Sequence, residues 1–349
     1  MNLTSAIEVP SYAFTLIKIG FLKQLIMDDN TLQKLEEITD IKQFLEYISI
    51  FYPALTVKSN TLEEIEKSLF HVYIKLIGRI IYICPRTMRI FLKDYLMKYE
   101  IMNIKRVILG TILRMNIDEK SLMVNMLVEK YLDNTTFMKE LIEIPSLEEI
   151  QLFMKPTIYN KVIREGILYF KKTNEIFVLE AFLDQLFYNN LNEEIKFLTQ
   201  KEKVMISPYI KYISEIYNLR LIYRGIKNNI DKNLLAQLLV DNYLFMNERK
   251  LKELINLKDK DEYIKVLTQY LTAIKELRTG SIGQEHFIWA IEKIYLDYYF
   301  KSLEIKSVDI DYQAIYKILE VLIKKDKEIR LFILPKLVDI IYEKYKLLK

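Results

Sequence analysis

The chain has 349 residues, 51% of them hydrophobic, and a formal net charge of +4 from 51 basic and 47 acidic side chains. So high an apolar fraction with so little net charge excludes disorder as the dominant state. Seven glycines and seven prolines are too few for a sandwich, a barrel or a Rossmann sheet, which need a turn every ~8–12 residues; one cysteine excludes a disulfide framework and a cysteine-based zinc site.

Along the chain, the opening stretch 1–10 has neither a basic n-region nor an apolar h-region, so no signal peptide is expected. Asp28-Asp29-Asn30-Thr31 reads as the end of one helix and the cap of the next. It lacks the later aspartate that the metal motif of helical prenyl-transfer enzymes requires. Residues 62–83 carry apolar side chains at spacings of three and four, with Asn60-Thr61 as the cap and glutamates in the first turn. The same periodicity predicts helices over 175–188, 233–246, 262–278 and 286–303. Breaks are expected at Pro53, Pro85, Pro145, Pro156, Pro208 and around Gly280-Ser281-Ile282-Gly283. Alternating patches such as Ile206–Ile213 are too few to build a sheet. The most apolar run, from His71 to Cys84, is interrupted by Lys75 and Arg79. It falls short of the ~18 uninterrupted residues of a membrane span.

Internal repetition organises these helices. Glu100-Ile101-Met102-Asn103-Ile104-Lys105 matches Glu215-Ile216-Tyr217-Asn218-Leu219-Arg220, and Gly110 matches Gly225, at an offset of 115. Upstream, Glu66 with Leu69, Tyr73 and Ile77 matches Glu180 with Leu183, Phe187 and Leu191, and then Glu292 with Tyr295, Tyr299 and Leu303. In the third copy Ile329 and Arg330 stand where Leu219 and Arg220 stand. There Lys325 and Glu328 take the Glu and Asn positions, and Pro335 replaces the glycine. The expectation is an all-α protein of three pseudo-repeated helical subdomains, at 1–118, 119–232 and 233–349, arranged as a funnel with pseudo-three-fold symmetry.

The repeated polar residues have two readings. In the structural one, Glu100 and Asn103, and likewise Glu215 and Asn218, satisfy each other or a helix end beside the apolar stripe. The asparagines are then at least partly buried, and the glycine either ends its helix or admits a neighbour. In the other reading the pair binds a partner or ligand. Catalysis is disfavoured, because the third copy drops both residues. No G-x-x-x-x-G-K-[ST], G-x-G-x-x-G or H-E-x-x-H motif occurs, so no cofactor or metal is expected. His71 on its helix, Asp309-Ile310-Asp311 and Cys84 before Pro85 read as structural. The near balance of dispersed charges argues against a nucleic-acid partner.

The ordered set Glu-Ile-x-Asn-aliphatic-basic, present as Glu100-Asn103-Ile104-Lys105 and Glu215-Asn218-Leu219-Arg220, resembles the C subunits of archaeal-type (A-type) ATP synthases, a family related to the vacuolar ATPase d subunits. Tyr12-Ala13-Phe14 through Gly20-Phe21-Leu22 resembles its opening helix without that helix's arginines. Glu180, Leu183, Asp184 and Phe187-Tyr188 resemble its middle helix. The resemblance implies a non-catalytic central-stalk connector on the cytoplasmic face of the membrane. Its partners would be the membrane proteolipid (rotor) ring and the central shaft subunits, with ion flow coupled to ATP synthesis. The alternative is a stand-alone helical-repeat scaffold that binds protein partners.

Overall fold

The computed structural model describes residues 11–275, 277, 287–304 and 309–347. Among the described residues the fold is all-α, with no strand. The helices are, in order, α1 (Ala13–Lys23), α2 (Asp29–Glu37), α3 (Ile41–Ser49), α4 (Leu62–Ile83), α5 (Arg86–Ile112) and α6 (Ile117–Met123). There follow α7 (Met126–Leu132), α8 (Thr135–Glu143), α9 (Leu147–Phe153), α10 (Asn160–Thr173), α11 (Ile176–Glu194) and α12 (Gln200–Lys227). The last are α13 (Lys232–Gln237), α14 (Glu248–Ile255), α15 (Lys260–Thr272), α16 (Phe287–Glu304), α17 (Ile310–Lys327) and α18 (Leu334–Leu347). A π-helical turn, Glu328–Ile333, joins the final two. The chain divides into two compact units, one of residues 1–92 with 304–349 and one of residues 93–303.

In the first unit, Asp28, Asp40 and Thr61 cap α2, α3 and α4 with side-chain oxygens that accept first-turn N–H groups. Asp309, read from the sequence as structural, caps α17 in the same way. The stripe foreseen on α4 is fully buried at Ile65, Leu69, Tyr73 and Ile77. α1 packs on α4 and α17, where Thr15 donates to the Ile83 carbonyl at 2.6 Å. Tyr73 donates to the Leu322 carbonyl at 3.0 Å. Cys84 is buried, as expected of a structural thiol. Pro335 does not end the helix; the π-helical turn just ahead of it shifts the bonding pattern where its N–H is missing.

The second unit buries the corresponding stripes of α11 (Leu179, Leu183, Phe187, Leu191) and α16 (Ile291, Tyr295, Tyr299, Leu303). Three sequence expectations change here, one of them the helix expected over 262–278, which stops at Thr272. Pro208 lies inside α12 instead of breaking it. In the turn that Pro208 disturbs, the Met205 carbonyl accepts from the Tyr299 hydroxyl at 3.0 Å. The helix expected over 233–246 stops at Gln237. Beyond it, the backbone of Val240 and of Leu244–Met246 is bonded to side chains of α12, which displaces the helical ladder. The expected break at 280–283 and the opening stretch 1–10, where no signal peptide was expected, lie outside the described residues.

Gly110 and Gly225 settle which role the repeated glycine has. Both stay helical. The Gly110 carbonyl accepts from Met115 at 2.8 Å and the Gly225 carbonyl from Ile230 at 2.9 Å. Arg114 (φ 57°) and Asn229 (φ 52°) supply the left-handed residue of each Schellman ending. The glycine's use is close approach. A Cβ on Gly225 would lie 2.4 Å from Leu235 of α13, and one on Gly110 would lie 2.8 Å from Lys120 of α6. Leu235 is itself buried, so it has little room to retreat. Gly225→Ala is expected to destabilise by ~1–3 kcal/mol through overpacking. Gly20→Ala, where nothing lies within 4 Å, should be neutral or gain ~0.5–1 kcal/mol. Denaturant unfolding of both variants checks the contrast.

Candidate functional site

The repeated asparagines act on backbone 22 positions away, not on the glutamates beside them. Asn218 on α12 donates to the Val240 carbonyl and accepts the Val240 N–H, both at 2.8 Å. Asn103 on α5 does the same to Asn125, donating at 3.2 Å and accepting at 3.0 Å. Both asparagines are fully buried, as the stripe position predicted. The mutual Glu–Asn bond considered from the sequence is replaced by these longer reaches. Glu215 accepts the N–H groups of Phe245 (2.9 Å) and Met246 (3.0 Å), that of Leu244, and the Tyr295 hydroxyl. Glu100 accepts from Asn134 Nδ2 and the Tyr159 hydroxyl, each at 2.7 Å. Each pair therefore fastens the segment that follows its own helix.

At the third position the same work is split between two charges, inside the first unit. Lys325 Nζ donates to the Leu25 carbonyl at 2.5 Å, and Glu328 Oε1 accepts the Met27 N–H at 2.7 Å. One side chain replaces the amide's donor and the other its acceptor. The segment they hold comes from the opposite end of the chain. Lys325 and Glu328 also pair with each other at 2.8 Å. Lys325 Nζ stands 3.7 Å from the centre of the Tyr52 ring, and the Tyr52 hydroxyl donates to Glu328 at 3.2 Å. Burial lowers the pKa of Lys325 and raises that of Glu328, and their mutual attraction opposes both shifts.

The basic residue of the motif reaches the neighbouring first element. Lys105 pairs with Asp184 at 2.6 Å, and Arg220 pairs with Glu292, which is buried. Arg224 lies 3.8 Å from Glu180 and stacks its guanidinium 4.4 Å over Phe177. Glu180 and Glu292 thus meet arginines of α12. Glu66, half-buried on α4, belongs to the first unit. Between these ion pairs α5, α11, α12 and α16 line a cleft of about 480 Å³. Its walls include Phe177, Tyr188, Tyr217 and Trp289, with the Tyr188 and Tyr217 rings 4.7 Å apart. Among the described residues no three His, Cys, Asp or Glu side chains converge on a metal-sized site. The arrangement suits apolar side chains flanked by exchangeable ion pairs, as in protein recognition. Sequence reasoning missed Asn125, Val240, Tyr159 and Trp289. Only the 115-residue offset, which also relates the helix caps Asn116 and Asp231, pointed toward the first two.

The family model described as ATP synthase (C/AC39) subunit matches residues 18–332. The C subunit of the A-type ATP synthase from Methanosarcina acetivorans is 24% identical over 331 residues, covering 91% of this chain and 86% of that protein. The protein of the same name from Methanocaldococcus jannaschii is 24% identical over 261 residues, 72% of this chain and 63% of its own length. That from Pyrococcus furiosus is 24% identical over 232 residues, 66% of this chain and 60% of its own length. The chain therefore spans less than two thirds of the latter two relatives.

The clamps have measurable weight. Asn218→Leu strands the Val240 N–H and carbonyl, and is expected to cost ~1–3 kcal/mol. Lys325→Met leaves Glu328 buried without its cation and should cost ~3–5 kcal/mol. Adding Glu328→Gln to Lys325→Met should recover part of that loss, because no unpaired charge then remains. Chemical denaturation of the two single variants and the double variant reads all three values.

Proposed function

The chain belongs to the ATP synthase (C/AC39) subunit family, and we propose that it is the non-catalytic central-stalk connector of an A-type ATP synthase. It sits peripherally on the cytoplasmic face, between the membrane proteolipid ring and the central shaft. Ring rotation driven by ion flow passes through it to the shaft and the nucleotide-binding head. The observation that carries this reading is the family match over residues 18–332 on an all-helical body. Close-packed helices suit the task because dense interiors have low compressibility and transmit strain. The division into three units at 1–118, 119–232 and 233–349, arranged as a funnel, belongs to the same proposal. The 22-residue reach shared by Asn103 and Asn218 supports it.

No helix of the described residues is long and apolar enough to cross a membrane. The 51 basic residues are nearly matched by 47 acidic ones, whereas lipid anchoring favours a clustered basic face. Membrane association is therefore assigned to the ring protein. A second reading, the stand-alone scaffold, rests on the aromatic cleft beside Trp289.

Reconstitution tests the proposal. The purified chain should ignore empty anionic liposomes at physiological salt and bind liposomes that carry the proteolipid ring. Removing it from the assembled synthase should spare ATP hydrolysis by the soluble head and abolish ion-driven synthesis. Tight binding to bare liposomes, or synthesis that survives its removal, overturns the connector. Peptide binding that quenches the fluorescence of Trp289, with no affinity for ring or shaft, identifies the scaffold instead.

A further inference from the structure

We infer that α5 carries a proton-held lock: Glu129 holds a proton against Glu100 at neutral pH, Asp94 holds one against Glu194 in mild acid, and losing these protons as pH rises loosens α7 and the end of α11 from α5. The basis is the chemistry of the buried contacts. Glu129, fully buried on α7, takes the Asn103 Nδ2 donor on Oε1 at 2.8 Å. Its Oε2 is buried and meets no donor, yet it lies within hydrogen-bonding reach of the Glu100 carboxyl. Glu100 is already bonded to Asn134 and Tyr159. Every donor to this acid pair is neutral. Asp94, earlier on α5, resembles it: its Oδ2 is buried without a donor, and the Glu194 carboxyl is within reach.

Two facing carboxylates repel, most strongly where Glu129 and Glu100 are both buried; Asp94 and Glu194 are half-buried. One proton between them converts the repulsion into a charge-assisted O–H···O bond and supplies the missing donor. Among the described residues the neighbouring cations are engaged elsewhere. Lys93 is paired with Asp133 at 3.0 Å, and Lys98 lies over the Tyr99 ring at 5.5 Å. Lys105 is paired with Asp184, and Arg106 donates to the Met123 carbonyl at 3.1 Å. Lys130 on α7, and Lys139, Glu140 and Glu143 on α8, are exposed. At the α11 end Lys196 is paired with Glu193, and Glu202 of α12 is held by Thr199.

The titration follows from this setting. Burial, opposed by the Asn103 bond and reinforced by Glu100, raises the Glu129 carboxyl to about 8. Burial and then Glu194 raise Asp94 to about 7. Both values lie above the ordinary carboxylate range, so the folded state holds more protons than the unfolded one. The stability they supply is complete at acid pH and is lost as pH rises, through about 7 for Asp94 and about 8 for Glu129.

The test is hydrogen exchange in the full chain from about pH 5 to about pH 9, corrected for intrinsic rates, at the amides of α7 and the α11 end. Each acid multiplies the opening constant by up to ~10 per pH unit within its window. At the α7 amides the parent should therefore steepen by up to ~10-fold per unit until Glu129 is ionised, and at the α11 end by up to ~10-fold per unit until Asp94 is ionised. Glu129→Gln, whose amide donates to Glu100 as the protonated acid does, should remove one factor; Asp94→Asn should remove the other. A parent with no such slope, or variants that keep the parent's slope, overturns the lock. If either variant fails to fold, the infrared spectrum of the parent decides. Buried protonated carboxyl bands should be present at neutral pH and gone in alkali, and their absence at neutral pH overturns the proposal.

Discussion

An asparagine side chain presents a donor and an acceptor with the spacing of a peptide group. It can therefore close two bonds on the backbone of a single residue, and the rest of this fold depends on that match. Asn103 holds Asn125, and Asn218 holds Val240, each from inside a long helix. Once that residue is held, the chain between it and the helix must turn back within 22 positions. The Schellman endings at Arg114 and Asn229 make that turn, and Gly110 and Gly225 let the returning helices α6 and α13 lie close. A buried amide with both its needs met costs little, whereas the loop backbone it satisfies would otherwise stand unpaired.

The first unit solves the same problem with ions, at a different cost. Lys325 and Glu328 divide the amide's two functions between them, and both are taken almost wholly out of water. Such a pair gains specificity more readily than stability, because desolvation offsets most of its attraction. The specificity has an evident use here. The held segment, Leu25–Met27, lies some 300 residues away along the chain from the residues that hold it. A pair of opposite charges rejects most alternative seats for that segment, since each would strand a buried ion.

How much of this was legible in the sequence depends on which partner a residue has. Apolar stripes such as Ile65, Leu69, Tyr73 and Ile77 were legible because burial acts on side-chain identity at a fixed period. The caps at Asp28 and Thr61 were legible because their partners lie three residues on. The clamps were half legible. Asn103 and Asn218 stood out by repetition, but their partners are backbone groups, which every residue carries, so Asn125 and Val240 share no side chain to mark them. The helix expected over 233–246 failed for that reason: its apolar spacing is real, while its N–H groups were already claimed by Glu215 and Asn218. Pro208 failed as a breaker because tertiary contacts hold α12 through it: the Tyr299 hydroxyl, 94 positions away, donates to the Met205 carbonyl in the turn beside it.

These contacts also decide where the molecule is stiff. A helix packed through apolar side chains can slide by fractions of a rotamer, since dispersion is non-directional. A side chain bonded at both N–H and C=O of one residue cannot, because sliding breaks two directional bonds at once in a low-dielectric interior. Asn103 and Asn218 place such bonds on α5 and α12, while Lys325 on α17 and Glu328 on the π-helical turn fasten two residues of one segment, Leu25 and Met27. The ion pairs beside the cleft, Arg224 with Glu180 among them, are partly exposed and tolerate adjustment. Rigid fastening within the long helices is thus combined with softer pairing beside the cleft, so the exposed pairs can rearrange while the buried clamps stay closed.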